Sequence, residues 1–183
     1  AKPPSMTKRP ERAVDLDTDD EKLEDEAKAP VVEDRDLKTL LTYLSGRALY
    51  YPTLLAAATG MRRGEILGLK WKDIDFEVGA LHVRRAIEQT DKFGIRKKVP
   101  KKHSKREIRL PAIIMEALLK YQKEQIERNV KSGVRSEHVF ATWDGQVRSP
   151  NGFSSEFRRE VIAAGIPHAT FHMLRHTHAS QLL

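Results

Sequence analysis

The densest group of chemically capable side chains is His172-Met173-Leu174-Arg175-His176-Thr177-His178. On a helix, positions 172, 175 and 176 stand one turn apart and share a face, so two imidazoles and a guanidinium point the same way. Guanidinium and imidazole donors on one face can hold a phosphodiester and stabilise the extra charge of its pentacoordinate transition state. Two other uses of the same residues compete with this one. Histidines four apart ligate metals, and His168, His172, His176 and His178 would make a metal-dependent hydrolase, although no carboxylate or cysteine lies close to them in the sequence. A surface helix with scattered basic residues is the plainest alternative.

Charge alone fits both a surface that binds a polyanion and a soluble protein whose lysines are simply solvated. The 183 residues carry 33 Lys/Arg and 26 Asp/Glu, a net +7. Residues 1–34 hold 6 basic against 11 acidic side chains, which leaves 27 against 15, a net +12, on residues 35–183. Residues 81–110 are the most basic stretch, with 11 Lys/Arg and 3 Asp/Glu. A polyanion is the partner such a surface attracts. The absence of cysteine excludes a disulfide framework, a thiol nucleophile and cysteine-bearing metal centres. No apolar run approaches the roughly 18 residues of a membrane span. Nor does Ala1-Lys2-Pro3-Pro4 begin a secretory signal, so the expected location is cytoplasmic.

The elements that must position these residues can be read from periodicity. Residues 1–33 are acidic and poor in apolar side chains, and read as a disordered tail or interdomain linker. From Asp34, Leu37, Leu40, Leu41 and Leu44 fall on one helical face, and Ser45-Gly46 stops the run. Pro52 suits the first turn of a second helix, Thr53 to Thr59, apolar all round and closed by Gly60. A short third helix follows, with Ile66, Leu69 and Trp71 towards a core. Between Leu81 and Leu110 the period shifts towards 2, with Lys92-Phe93-Gly94 as a turn, predicting a small antiparallel sheet. Pro111 opens a long helix carrying Ile114, Leu118 and Tyr121 and ending near Ser132-Gly133. Val139-Phe140 reads as a short strand and Ser154 to Ala164 as a helix ended by Gly165. Thr170 caps a last helix that carries the polar cluster. The fold class is α+β, mainly α, a helical domain over 34–183 with a small antiparallel sheet and no repeats.

The segment His172-x-Leu174-Arg175-His176-Thr177 resembles the second box of the tyrosine recombinases, the phage-type integrases. Thr59-Gly60-Met61-Arg62-Arg63-Gly64-Glu65-Ile66-Leu67-x-Leu69-x-Trp71 resembles their first box, Thr-Gly-x-Arg-x-x-Glu-Leu-x-x-Leu-x-Trp, and about 110 residues separate the two arginines. The resemblance spans roughly Asp34 to Leu183. It implies DNA strand breakage and rejoining in site-specific recombination, or DNA integration, through a 3′-phosphotyrosyl intermediate and without metal or nucleotide cofactor. It further implies that Arg62 and Arg175 each neutralise a non-bridging oxygen, that His172 donates to the phosphate and shuttles a proton, and that Glu65 and His176 support the site. Arg63, next to the first arginine, is expected to be a surface or backbone-contacting cation.

The family also places a general-acid lysine in a β-hairpin. Val99-Pro100-Lys101-Lys102-His103-Ser104-Lys105-Arg106 resembles its Pro-Lys-Thr-x-Ser-x-Arg pattern, give or take one residue, making Lys101 the expected acid and Lys102 the runner-up. Double-stranded DNA and other protomers, four on DNA in the full-length protein, are the implied partners, with no membrane. One departure is large. The family's nucleophilic tyrosine follows the second box, whereas Tyr43, Tyr50, Tyr51 and Tyr121 all precede it and read as helix-packing residues. The expectation is therefore a C-terminally incomplete catalytic domain that binds DNA and does not cleave it alone. The alternative is a non-catalytic DNA-binding module that keeps its arginines for phosphate affinity.

Overall fold

The first apolar helix sets the frame. In the computed structural model, which describes residues 31–90, 94–98 and 106–181, α1 (Asp34–Leu44) buries Leu40 and Leu44 against α2 (Tyr50–Thr59). The second helix begins at Tyr50, two residues ahead of Pro52, because proline's missing N–H costs nothing within the first turn. It buries Pro52, Thr53, Leu55, Ala56 and Thr59, and Gly60 ends it in the left-handed region at φ 61°. A short α3 (Arg63–Leu67) and a 3₁₀ turn (Trp71–Asp73) lead into the strands.

The predicted sheet is two sheets. Strands β1 (Ile74–Asp75), β2 (Ala80–Val83) and β5 (Arg106–Arg109) form an antiparallel set in the order β1-β2-β5, and β3 (Ala86–Thr90) with β4 (Gly94–Lys98) forms a separate hairpin. Register pairs Leu81 with Ile108 and Thr90 with Gly94. The hairpin lies against α3 so closely that a Cβ on Gly64 would stand 2.5 Å from the Ile87 carbonyl oxygen, which only glycine permits.

Helix α4 (Ala112–Ser132) follows Pro111, buries Ile114, Met115, Leu118 and Tyr121, and ends on left-handed Gly133. Its Gln125 donates to the His138 and Val139 carbonyls (3.3 and 3.0 Å) and accepts the Trp71 indole N–H at 2.6 Å. That network explains why Val139-Phe140 is not a strand. Isolated bridges flank the segment, Lys70 with His138 and Ala141 with Val147, and Val139 and Phe140 themselves form a turn with both side chains buried. Helix α5 (Pro150–Ala163) starts four residues earlier than expected, because Ser149 caps it by accepting the Gly152 N–H at 3.1 Å and Pro150 occupies its first turn. The last helix, α6 (Phe171–Gln181), is capped by Thr170, whose hydroxyl accepts the Met173 N–H at 3.3 Å. Its Phe171 meets Phe153 and Phe157 edge-on, with ring centroids 4.9 and 5.2 Å away. Among the described residues no helix is long and apolar enough to cross a membrane.

A carboxylate with 1% exposure, Asp73, ties the 3₁₀ turn to the chain entering β3. It accepts the Lys70 N–H at 2.9 Å and both arms of the Arg85 guanidinium, with Arg84 3.7 Å away. Removing one member of a buried pair strands the other charge. Asp73→Ala should therefore lose about 3–5 kcal/mol of stability in urea unfolding, and a loss below about 1 kcal/mol would show that the pair does not hold the turn.

Candidate active site

The site begins where α2 stops. Thr59 sends its hydroxyl back to the Leu55 carbonyl (2.6 Å), Gly60 turns the chain, and Arg62 is extended at φ −67°, ψ 150° before α3 starts. A helix start leaves unsatisfied N–H groups, and a carboxylate at its third position can reach back to one. Glu65 does so, accepting the Arg62 backbone N–H at 2.9 Å. Thus the Arg-x-x-Glu spacing is first of all a helix-capping device, and it fixes where the Arg62 side chain leaves the backbone.

Glu65 has 3% side-chain exposure, and two cations attend it unequally. Arg106, the first residue of β5, forks onto it, Nη1 to Oε1 at 3.0 Å and Nη2 to Oε2 at 2.9 Å. The Arg62 guanidinium stands 3.7 Å from Oε1 and keeps 55% of its side chain exposed.

From the other end of the chain, α6 brings Arg175, which donates through Nη1 to the Gly60 carbonyl at 2.8 Å. That carbonyl is two residues from Arg62. On the same helix the His172 and His176 rings meet edge to face with centroids 4.6 Å apart, and both residues are partly buried. His178 packs its ring on Gly60, where an added Cβ would meet Cδ2 at 2.9 Å. Thr177 is buried. Its hydroxyl accepts the Val32 N–H at 2.9 Å and lies 3.2 Å from the Val32 carbonyl, pinning the segment before α1 to α6.

Of the residues expected at the site, Arg62, Glu65 and Arg175 therefore gather around Gly60-Met61-Arg62, with His172 and His176 on the helix that supplies Arg175. Lys101 and Lys102 lie outside the described residues. Arg63 has a side-chain partner besides. It is partly buried and donates to the Ser154 hydroxyl, and so ties α3 to α5. The four histidines of the metal reading disperse, since His168 pairs with Asp36 at 2.9 Å while His178 lies on Gly60. Among the described residues no group of three His, Asp or Glu side chains is placed to hold a metal.

Sequence reasoning left out Arg106 as a site residue. Its signal was present: read without a gap, Pro100 to Arg106 matches the hairpin pattern, with Lys101 at its lysine and Arg106 at its final arginine. A glutamate buried at the third position of a helix also requires a cation from elsewhere in the fold.

Residues 31–183 match the sequence model of the phage integrase family. The chain belongs to the phage integrase family. It is 35% identical over 180 residues to a XerC-like tyrosine recombinase of Caldanaerobacter subterraneus subsp. tengcongensis, covering 90% of this chain and 46% of that protein. The integrase of transposon Tn1549, solved with transposon right end DNA, superposes with a TM-score of 0.71 at 21% identity, over 85% of this chain and 54% of that one. The crystal structure of XerA recombinase gives 0.68 at 20% identity, over 84% and 49%. This integrase chain thus spans about half the length of the relatives it matches, and the solved structures share its mainly helical fold with a small antiparallel sheet.

Burial pushes the Glu65 carboxyl upward, but the Arg106 hydrogen bonds, the Arg62 N–H and the charges of both arginines outweigh it and hold the group below its ordinary value of 4.5. A carboxyl lowered in the folded state contributes stability that is complete above the ordinary value and is lost as pH falls through the lower folded one. Glu65→Gln should cost about 2–3 kcal/mol in urea unfolding at neutral pH, and the gap from the parent should close progressively below pH 4.5. An equal gap at pH 7 and at the acid end would show that the ionised carboxylate is not what Arg106 stabilises.

Proposed function

We propose that this chain is the phosphate-activating part of an enzyme that breaks and rejoins DNA strands in site-specific recombination, with residues 34–183 as its catalytic unit and residues 1–33 as an acidic tail or interdomain linker. One observation carries the reading: Arg175 is fixed on the Gly60 carbonyl, two residues from Arg62. Guanidinium groups from two distant parts of the sequence share one turn, where they face the two non-bridging oxygens of a scissile phosphodiester. His172 donates to the same phosphate, His176 backs it, and Glu65 fixes the departure of the Arg62 side chain. Lys101 is the general acid, with Lys102 the alternative.

In the strand-cleaving step a tyrosine oxygen bonds to phosphorus, the P–O5′ bond breaks, and the departing oxygen takes a proton from the lysine. Tyr43, Tyr50, Tyr51 and Tyr121 are not that nucleophile. Tyr51, at the start of α2, meets Tyr50 edge-on and Tyr121 at a tilt, nine helical residues or about 13 Å from Gly60, and Tyr43 carries Arg47 over its ring at 4.4 Å. The tyrosine comes from a segment other than these helices. Duplex DNA and further protomers are the partners, the cytoplasm is the location, and neither metal nor nucleotide takes part.

Binding tests the charge argument. The chain should hold duplex DNA with little sequence preference and lose affinity steeply between low and moderate salt, as counterion release requires. Salt-independent binding would remove the basic surface from the proposal.

Chemistry can be tested without the nucleophile. In a nicked duplex whose 3′ end is a p-nitrophenyl phosphodiester, attack by the adjoining 5′ hydroxyl forms the P–O5′ bond and expels p-nitrophenolate, while the hydroxyl proton passes to a base. The chain should accelerate this joining yet form no covalent adduct with DNA. Arg62→Ala and Arg175→Ala should each slow it about 100-fold or more, the loss typical of one oxyanion donor. Lys101→Ala should slow it as well, and Lys102→Ala should leave it near the parent rate. Full joining by either arginine variant would return the chain to the non-catalytic DNA-binding reading.

A further inference from the structure

The inequality of the two cations at Glu65 assigns a role to Arg106. A carboxylate with 3% exposure demands a counter-charge, because an unpaired buried anion costs several kcal/mol. Two guanidinium groups are within reach. Arg106 takes both oxygens at hydrogen-bonding distance, whereas Arg62 stands at 3.7 Å from one of them and projects into solvent. The carboxylate has little acceptor capacity left, since Oε2 also holds the Arg62 backbone N–H.

We infer that Arg106 is a positioning residue whose task is to satisfy Glu65 so that the Arg62 guanidinium stays outside and available to a phosphate. This rests on the reading of Arg62 given above. Remove Arg106, and the strongest counter-charge left for Glu65 is Arg62 itself, close enough to fold inward by about 1 Å and make a direct pair. The reaction then loses one of its two phosphate-facing cations although neither has been mutated. Arg106 is one-third exposed and lies at the near end of β5, opposite Val83, so the strand delivers it to Glu65 while its neighbour Glu107 remains outside.

The inference separates from a merely structural role by a suppression test. In the p-nitrophenyl joining assay at saturating DNA, Arg106→Ala should slow the 183-residue chain about 10- to 100-fold, with DNA affinity little changed. Replacing the trap should reverse this: Glu65→Gln combined with Arg106→Ala should be faster than Arg106→Ala alone, because a neutral amide does not draw Arg62 inward. In an Arg62→Ala background, Arg106→Ala should add no further loss. Circular dichroism reports whether each variant folds. Should Arg106→Ala fail to fold, Arg106→Lys, which keeps a charge but cannot fork, should show an intermediate loss with the same suppression. A double variant as slow as the single one, or losses that multiply in the Arg62→Ala background, would overturn the positioning role while leaving the proposed function standing. A normal rate in Arg62→Ala itself would instead overturn the underlying reading.

Discussion

The arrangement depends on a carboxylate that the fold places out of water. Glu65 is held at the third position of a five-residue helix too short to stand alone, so its burial and its partners are one problem. By accepting the Arg62 N–H it starts the helix, and by accepting Arg106 it joins that helix to β5. Cation, helix start and strand are therefore fixed relative to one another by a single group. The cost of the buried charge is what makes the geometry specific, because an apolar side chain at 65 would pack against many neighbours and select none.

A second joint completes the site by different means. Helices α2 and α6 meet at Gly60, where a left-handed turn exposes a carbonyl to Arg175 and a missing Cβ admits the ring of His178. Three positions of α6 thus contact the rest of the molecule on successive turns: Phe171 in the aromatic core, Arg175 on the carbonyl, and His178 on the glycine. Thr177 adds a hold on Val32 from a neighbouring face. The guanidinium of Arg175 spends one donor on this anchoring, and its planar fork fixes the plane of the group in a way that a lysine's ammonium would not.

Most of this was legible in the residues. The last helix, its Thr170 cap and the shared face of His172, Arg175 and His176 followed from spacing alone, and the first box located Arg62 and Glu65. What escaped were partnerships across the chain. Nothing local to Arg106 says that it reaches position 65, and the Ser154 partner of Arg63 lies 91 residues away from it. Val139-Phe140 has strand-like residues, but Gln125 takes the carbonyl that a ladder would have used. Periodicity reports which face is buried. It does not report which polar group on another element completes a buried charge.

The same device recurs at the other end of the β-region. Strand β5 alternates partly buried and exposed residues with Ile108 as its lone aliphatic side chain, and in the described part of the β3–β4 hairpin Ile87 is the buried apolar one. Such strands bury too little area to lock themselves against helices by the hydrophobic effect. Instead Glu65 draws in Arg106 and Asp73 draws in Arg85, each by two guanidinium arms, and Gln89 accepts the Ser149 hydroxyl at 2.7 Å to hold the hairpin to α5. Each anchor removes one cation from the surface, while Arg84 beside Arg85 and Lys97 on β4 stay exposed and Arg96 pairs with Glu88 at 3.0 Å. Strands pinned by a few buried carboxylates can keep their other basic side chains exposed without needing an apolar face of their own.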